Sequence, residues 1–409
     1  MLQPRRPWQG RRIVLGVTGG IAAYKAVQIA RNLTRLGATV DTILTSGARH
    51  FVQPLSFEGV TGRPASTELF STDGAALHIR TGSEADVVCV APATADFLAR
   101  AAQGRADDLL TTTLLATRAP VILCPAMNDL MFSHTQTQAN VSYLSEVLSY
   151  RIAGPGVGPL AFSEGEGRGR MLEPDEIIEE IGRALVRPSA IRGKKIVVTA
   201  GPTRETIDPV RYMGNRSSGR MGFALAAAAW RRGAEVTVVT GPVALTYPYG
   251  VEVLRVESTE EMLATVSKEL PEADVSFFAA AVSDYRVADH FPEKLKRSET
   301  GPEMVLTLTE NPDIAGDTRD LRKKGSLSVG FALETESLLE NARNKLKSKG
   351  FDLIVANNAE EPGSGFEVET NRVVLLDSRG EDKELPLLSK HEVAEMILDK
   401  VSELLEPSE

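Results

Sequence analysis

Two doubly wound α/β domains, joined end to end, are what this sequence predicts, and three observations predict them. The chain has 409 residues, more than a single core usually organises. Each half repeats one local pattern: a short apolar run, a Gly- or Pro-marked turn, then a stretch of helical length. Between the halves, Arg187-Pro-Ser-Ala-Ile-Arg-Gly reads as a linker. The expected divisions are an extension over 1–10, one domain over 11–188 and another over 189–409. No residue-by-residue repeat relates the two.

Composition narrows the classes. A formal net charge of −9 argues against a general nucleic-acid binder, while leaving room for a local basic pocket. The opening MLQPRRPWQGRR carries charge but no apolar core, so it reads as a disordered basic extension rather than a secretory signal. No apolar run approaches the roughly 20 residues of a membrane span. Cys89 and Cys124 both fall inside apolar runs, which favours core packing, a reducing compartment and a cytoplasmic location.

In the first half, Arg11 to Thr18 is a buried strand that stops at Gly19-Gly20. A helix follows over Ile21–Leu36 with Gly37 as its stop, and Thr39–Thr45 is the next strand. This opens a Rossmann-like, doubly wound sheet. Thr18-Gly19-Gly20 lacks GxGxxG spacing, which makes a nicotinamide dehydrogenase the weakest reading; a flavin or phosphate turn and a plain turn both stay open. Strands over Asp86–Pro92 and Ala119–Pro125 end at Thr94-Ala95-Asp96 and Ala126-Met127-Asn128. Ligands in such sheets gather at the carboxyl ends of strands, and these ends present small, polar or amide groups there. A single histidine such as His78 is, by itself, more often a surface or capping residue than a catalyst. His50, His134, His290 and His391 show no metal-ligand spacing. A helix with an acidic first turn closes the half near Val186.

The second half centres on Thr199–Gly222. An apolar strand, Lys195–Ala200, stops at Gly201-Pro202, and a polar loop with Arg204, Arg211, Asn215 and Arg216 leads into a helix from Met221. A Gly/Ser-rich loop opening a helix offers backbone N–H groups and a positive dipole end to an anion. Further strands are expected over Glu235–Thr240, Asp274–Ala280, Leu327–Phe331, Asp352–Val355 and Arg372–Leu376. Helices are expected over 217–232, 258–270, 334–349 and Lys390–Leu405.

Four motifs of the first half, GVTGGIAAYK, APATADFLAR, GRADDLLTT and PAMNDLMF, resemble flavin-containing cysteine decarboxylases. TAGPTRE, DPVRYMGN, SSGRMG, AAVSDYR, PEKLKR, NPDI and GFALET resemble the ligase half of the bacterial bifunctional phosphopantothenoylcysteine decarboxylase and phosphopantothenate–cysteine ligase family of coenzyme A biosynthesis. The resemblance runs over about residues 11 to 405 and implies an N-terminal flavoprotein domain and a C-terminal ligase domain. It assigns His78 to the decarboxylase active site and Asn128 to the substrate's cysteine carboxylate. FMN contacts are implied at Gly19, Gly20, Ile21, Thr45, Ser46, Thr94, Ala95, Asp96 and Ala126. A cysteine carboxylate leaves as CO₂ only if its electrons have a sink. Flavin oxidation of the thiol supplies one, and the reduced flavin later returns the hydride. The protein's task is to orient the substrate and manage protons, which suits an imidazole and an amide. The loop Gly158–Met171 reads as mobile and has Phe162-Ser163 where the family has a proton-donating cysteine. Ser163, Glu164 or water are the candidate donors, and the full reaction is expected to run.

For the ligase half, the resemblance implies that the carboxylate of 4′-phosphopantothenate attacks CTP to give an acyl-cytidylate and pyrophosphate, and that the amine of L-cysteine then attacks the activated carbonyl. Fixed cationic and amide donors are what such transition states need. The implied catalytic residues are Arg211, Asn215 and Lys294, the last on a flexible flap and also on the nucleotide. The remaining CTP pocket is implied at Phe278, Ala279, Ala280, Asp284, Asn311, Pro312, Asp313, Ile314, Phe331, Lys345 and Lys349. Mg²⁺ is expected on the phosphates rather than in a protein cage, so no metal ligands are assigned. Trimers of the first half and dimers of the second imply a homo-oligomer, up to a dodecamer. Two rivals stand beside this reading: an active ligase with an impaired or scaffolding flavin domain, and a non-catalytic regulatory flavoprotein.

Overall fold

The structure, a computed structural model, describes residues 7–70, 76–161, 165–187, 189–296, 303–334, 336–358 and 368–406. The chain divides into two compact units, one from Arg6 to Val186 and a second running from Arg187 to Glu409.

In the first unit, β1 (Arg12–Val17), β2 (Thr39–Leu44), β3 (Val87–Ala93), β4 (Val121–Pro125) and β5 (Arg151–Ile152) form a parallel sheet in the order β2-β1-β3-β4-β5. β3 and β4 are buried at every residue, as continuous apolar runs require when both faces are covered. The covering helices are α1 (Ala23–Arg35), α2 (Pro54–Thr61), α3 (Leu77–Glu84), α4 (Ala95–Ala102), α5 (Leu109–Ala116), α6 (Asp129–Ser133), α7 (Thr135–Ser142) and α8 (Pro174–Leu185). α1 buries Ala26, Ile29, Ala30 and Leu33 at helical spacing. It starts later than its expected Ile21 because Ala23 N–H closes a turn on the Gly20 carbonyl at 2.9 Å. Gly37 then takes φ +87°, which a glycine reaches without strain. Cys89 and Cys124 are buried and free, with Sγ atoms 4.0 Å apart. The neighbouring thiol and then burial push Cys124 up, so it stays a thiol in the core.

The expected mobile loop of this unit is largely a hairpin, β6 (Gly156–Pro159) paired antiparallel with β7 (Glu166–Arg170). Its glycines are there for close approach: a Cβ on Gly169 would lie 2.1 Å from the Met127 carbonyl oxygen, and one on Gly167 2.7 Å from Asp129 Cβ. Phe162, Ser163 and Glu164, the expected proton-donor segment, lie outside the described residues.

The second unit carries β8 (Lys195–Ala200), β9 (Arg204–Asp208), β10 (Arg211–Gly214), β11 (Glu235–Thr240), β12 (Glu252–Arg255), β13 (Val275–Phe278), β14 (Tyr285–Val287), β15 (Leu308–Glu310), β16 (Leu327–Glu334), β17 (Leu353–Asn358), β18 (Thr370–Asn371), β19 (Val374–Asp377), β20 (Asp382–Glu384) and β21 (Leu388–Ser389). Its main sheet runs β12-β11-β8-β13-β16-β17-β19-β20, with the first six strands parallel and with β19 paired antiparallel to both β17 and β20. α9 (Arg220–Arg231) and α13 (Lys390–Leu405) pack on one face of the sheet. α10 (Thr259–Glu269), α11 (Ile314–Asp317) and α12 (Leu338–Lys349) cover the other. The polar stretch after β8, expected as a plain loop, folds into the β9–β10 hairpin. Its turn is set by Asp208, whose Oδ1 accepts N–H bonds from Val210 (2.8 Å) and Arg211 (2.9 Å). No helix among the described residues is long and apolar enough to cross a membrane.

Two candidate active sites

Strand order in the first sheet reverses between β1 and β3, and a cavity of about 770 Å³ opens at the carboxyl ends of β1 to β4. Thr18 closes the floor of the reversal: its hydroxyl donates to the Pro92 carbonyl (2.8 Å) and accepts from Thr94 N–H (3.1 Å). Gly19 presses on the next loop so tightly that a Cβ would sit 2.8 Å from the Gly47 carbonyl carbon. The cavity is lined by Gly19, Gly20, Ile21, Thr45, Ser46, Thr94, Ala95, Asp96 and Ala126, all the implied FMN contacts, and by Asn128. Backbone N–H groups before α1, the Thr45 and Ser46 hydroxyls and the capped start of α4 suit a phosphate-bearing flat ligand of this volume. Asn128 caps α6, its Oδ1 accepting from Leu130 N–H at 2.9 Å.

Sequence reasoning gave no role to the charges around this cavity. Lys25, nearly buried, pairs with Glu173 at 2.9 Å, and Arg170 reaches the same carboxylate at 2.5 Å. The bond from Lys25, then that from Arg170, holds Glu173 below the usual carboxylate range. Arg100 is bound by Asp107 (2.6 Å) and Asp108 (2.7 Å), which explains why GRADD accompanies the cavity. The β6–β7 hairpin forms a wall through Pro159, Leu160, Ala161, Gly169, Arg170 and Met171.

His78 sits in the first turn of α3, half-buried, and is not among the residues lining the cavity. Its Nδ1 is buried without a hydrogen-bond partner among the described residues.

The second sheet reverses between β8 and β13, where a cavity of about 870 Å³ spans the carboxyl ends of β8, β13, β16 and β17. Asn215, Phe278, Ala279, Ala280, Asp284, Asn311, Pro312, Asp313, Ile314, Phe331, Lys345 and Lys349 all line it. Asn215 donates from Nδ2 to the carbonyls of Ala281 (3.2 Å) and Val282 (2.9 Å). Two carbonyl partners fix which end of the amide is NH₂, and they commit its donors to the wall. Asn311 spends its side chain on structure: Nδ2 donates to Ser283 O (2.8 Å) and Thr259 Oγ1 (3.3 Å), which anchors the Ser283–Asp284 wall. Lys345 donates to the Phe331 carbonyl at 2.8 Å, and Lys349 pairs with Asp313. A smaller cavity of about 340 Å³ shares Asn215, Ser217, Ser218 and Arg220 and continues to Arg204 and Arg216.

Arg211 and Lys294 are not among the residues lining this cavity. Arg211 pairs with Asp208 and donates to the Leu295 carbonyl at 2.9 Å, while Asp208 accepts Leu295 N–H at 3.1 Å. Arg211, then the backbone donors, holds the buried Asp208 carboxyl well below the usual carboxylate range. The result is a latch between the β9–β10 hairpin and the segment carrying the exposed Lys294. Long-range partners of this kind leave no local signal. Ser217–Gly219, Arg220, Asn357, Asn371 and Lys390 also line the cavity without having been singled out for it, apart from the Gly/Ser loop itself. Among the described residues, no group of three or more His, Cys, Asp or Glu side chains could hold a metal ion.

Comparison with known proteins shows what family the chain belongs to. Residues 1–186 match the family described as Flavoprotein, and 191–405 match the DNA/pantothenate metabolism flavoprotein C-terminal domain. The coenzyme A biosynthesis bifunctional protein CoaBC of Vibrio vulnificus is 42% identical over 97% of this chain and 98% of its own. The chain belongs to the bifunctional coenzyme A biosynthesis family. CoaBC of Escherichia coli is 43% identical over 96% of this chain and 97% of its own. A crystal structure of the C-terminal domain of CoaBC, 40% identical, covers 53% of this chain and 98% of that one with a TM-score of 0.45. As a member of the bifunctional family, the chain is a phosphopantothenate–cysteine ligase and a phosphopantothenoylcysteine decarboxylase, with FMN as cofactor and CTP as co-substrate.

Proposed function

We propose that the two activities are divided between the cavities, with residues 11–188 forming the decarboxylase domain and 189–409 the ligase domain. The observation that carries this reading is the convergence of the nine implied FMN contacts and Asn128 on one cavity, and of Asn215 with eleven of the implied CTP contacts on another.

In the first cavity, the loops after β1 and β2, together with Thr94 to Asp96 and Ala126, would hold FMN. FMN, when bound, supplies oxidation of the substrate thiol and the later return of the hydride. Asn128 orients the cysteine carboxylate without adding a positive charge that would retain it. The β6–β7 hairpin shields the site from water. His78 serves as the proton-handling group from a second copy of the chain, which reconciles its role with its absence from the cavity of its own chain. Ile21, Tyr24, Leu130 and Met131 expose apolar surface on elements beside the cavity, which supports a homo-oligomer, up to the dodecamer implied by trimers of one half and dimers of the other.

In the second cavity, the substrate carboxylate attacks the α-phosphorus of CTP, with Mg²⁺ carried on the phosphates. Because the Nδ2 of Asn215 is committed to two carbonyls, its Oδ1 is the atom that accepts an N–H from the cysteine amine and aims the lone pair at the acyl carbon. Arg211 and Lys294 act once the latched segment closes over the nucleotide. The enzyme works in the cytoplasm.

A coupled assay with 4′-phosphopantothenate, cysteine, CTP and Mg²⁺ tests the reading, with both products analysed. The expected outcome is formation of the amide and then of 4′-phosphopantetheine. Mixing His78→Ala with Asn128→Ala chains tests the shared site, since hybrid oligomers regain decarboxylation only if the two residues act across copies. One observation favours a second reading, a stalled flavin domain: Phe162-Ser163 stands where the family has its loop cysteine. Colourless protein that makes the amide but releases no CO₂ would establish it.

A further inference from the structure

A guanidinium stands behind the wall of the ligase cavity without lining it. Arg322 follows α11 and a single 3₁₀ turn over Arg319–Leu321, just ahead of β16. Its Nη2 donates to the Ala315 carbonyl at 2.6 Å. Its Nη1 donates to the carbonyls of Gly350 (3.0 Å) and Lys349 (3.3 Å) and to Ser328 Oγ (3.0 Å). The guanidinium carbon lies 5.2 Å from the centre of the Phe278 ring and 5.4 Å from that of Phe351, within the range of a cation–π contact. Those two rings are themselves 5.6 Å apart. None of these partners is a carboxylate; Ser328 in turn donates its hydroxyl to Asp352 at 3.1 Å. The Nε is buried with no hydrogen-bond partner among the described residues. An arginine kept for stability alone would be replaceable here, because well-packed apolar residues often substitute for a buried charge without loss. What the planar fork supplies is direction. It ties α11 to the end of α12, where Gly350 closes the helix at φ +61° and the last carbonyls lack helical donors. Those two backbones carry Asp313 and Lys349, which pair with each other and line the cavity together with Phe278, Ala315 and Phe351.

We propose that Arg322 is a positioning residue for the nucleotide: it acts without touching CTP, by fixing the spacing of Phe278, Asp313, Lys349 and Phe351. The inference rests on the ligase reading. A wall held in its binding geometry beforehand meets the nucleotide without first having to be ordered, and the ordering cost it avoids appears as affinity. Without the fork, α11 and the end of α12 lose their common partner, and the Asp313–Lys349 pair loses its fixed place in the wall.

The test is steady-state amide formation by the full-length chain with Mg²⁺, varying CTP, 4′-phosphopantothenate and cysteine in turn. Arg322→Ala is expected to raise KM for CTP about 10- to 100-fold, the range of lost charge-assisted hydrogen bonds. KM for the other two substrates, and kcat at saturating CTP, should stay within about twofold, since what is lost is binding of one ligand. Methylguanidinium added to the assay should bring KM for CTP back toward the wild-type value, by occupying the space among the same carbonyls and rings. A merely structural role would lower kcat through loss of folded enzyme and leave KM for CTP unchanged, and that result overturns the proposal. So does a KM that methylguanidinium leaves raised, which would assign the effect to packing of the stem. Should Arg322→Ala fail to fold, Arg322→Lys keeps the charge, loses the planar fork and carries the same comparison with a smaller rise. An unchanged KM for CTP in that variant overturns the proposal too. Failure of the wild-type chain to use CTP at all would instead count against the ligase reading itself.

Discussion

The two cavities use one device and tune it differently. Each opens where a doubly wound sheet reverses its strand order, between β1 and β3 in the first unit and between β8 and β13 in the second. In the first, the wall is backbone, hydroxyls and small residues, and the nearby cations Lys25 and Arg100 are already answered by Glu173, Asp107 and Asp108. In the second, Lys349 pairs with Asp313, Arg220 pairs with Glu369, and Lys345 donates to the Phe331 carbonyl. A resident, flat cofactor suits a slot of backbone and hydroxyl groups. A substrate triphosphate suits a wall that carries cations of its own. The difference teaches that the lining, rather than the fold, separates the two halves.

The largest expected effect would break the comparison if it failed. Asn215→Ala should lower amide formation by about 10²- to 10³-fold, the scale of losing an orienting group at the reacting centre. Decarboxylation of added 4′-phosphopantothenoyl-L-cysteine by the same protein should be unchanged. His78→Ala should show the mirror image. If either substitution abolishes both activities, the two cavities do not work as independent sites.

A smaller effect sharpens the structural side. Gly169→Ala places a Cβ 2.1 Å from the Met127 carbonyl oxygen, a backbone atom, so the chain itself must shift to relieve the contact. Overpacking of this kind costs about 1–3 kcal/mol. Here the strain should lift the β6–β7 hairpin off the Asn128 segment. Bound flavin, read from its visible absorbance, should fall together with decarboxylation, while CTP-dependent amide formation holds. Full flavin retention would mean that the hairpin is not part of the slot.

How much of this is legible in the sequence depends on the range of the interaction. β8 and α13 occupy the residues that apolar spacing assigns to them, because strand runs and capped amphipathic helices are local signals. The β9–β10 hairpin is not legible, since its turn depends on one carboxylate, Asp208, that also holds Leu295, 87 residues away. The GEGRGR run reads as a mobile loop until β7 is seen against Met127 and Asp129, where glycine is a packing requirement. Lys390 reads only as the start of a closing helix, because the sequence shows that helix but not the cavity at its end. His78 is the opposite case: resemblance points to a role, yet the fold of one chain does not bring it to the slot.

The smallest effect is a pH dependence confined to one unit. Burial, then Arg220, pushes the Lys390 amine down to about 8, below the roughly 10.4 of a free lysine. Folding therefore releases a proton in this window, and the second unit should gain about 1 kcal/mol of stability as pH rises from 7 to 9. Urea unfolding of the full chain at the two pH values reads this gain, and Lys390→Gln should flatten it. The first unit should not follow, because Glu173 beside Lys25 is held below the usual carboxylate range and exchanges no proton there. A parallel change in both units would mean that other groups set the dependence.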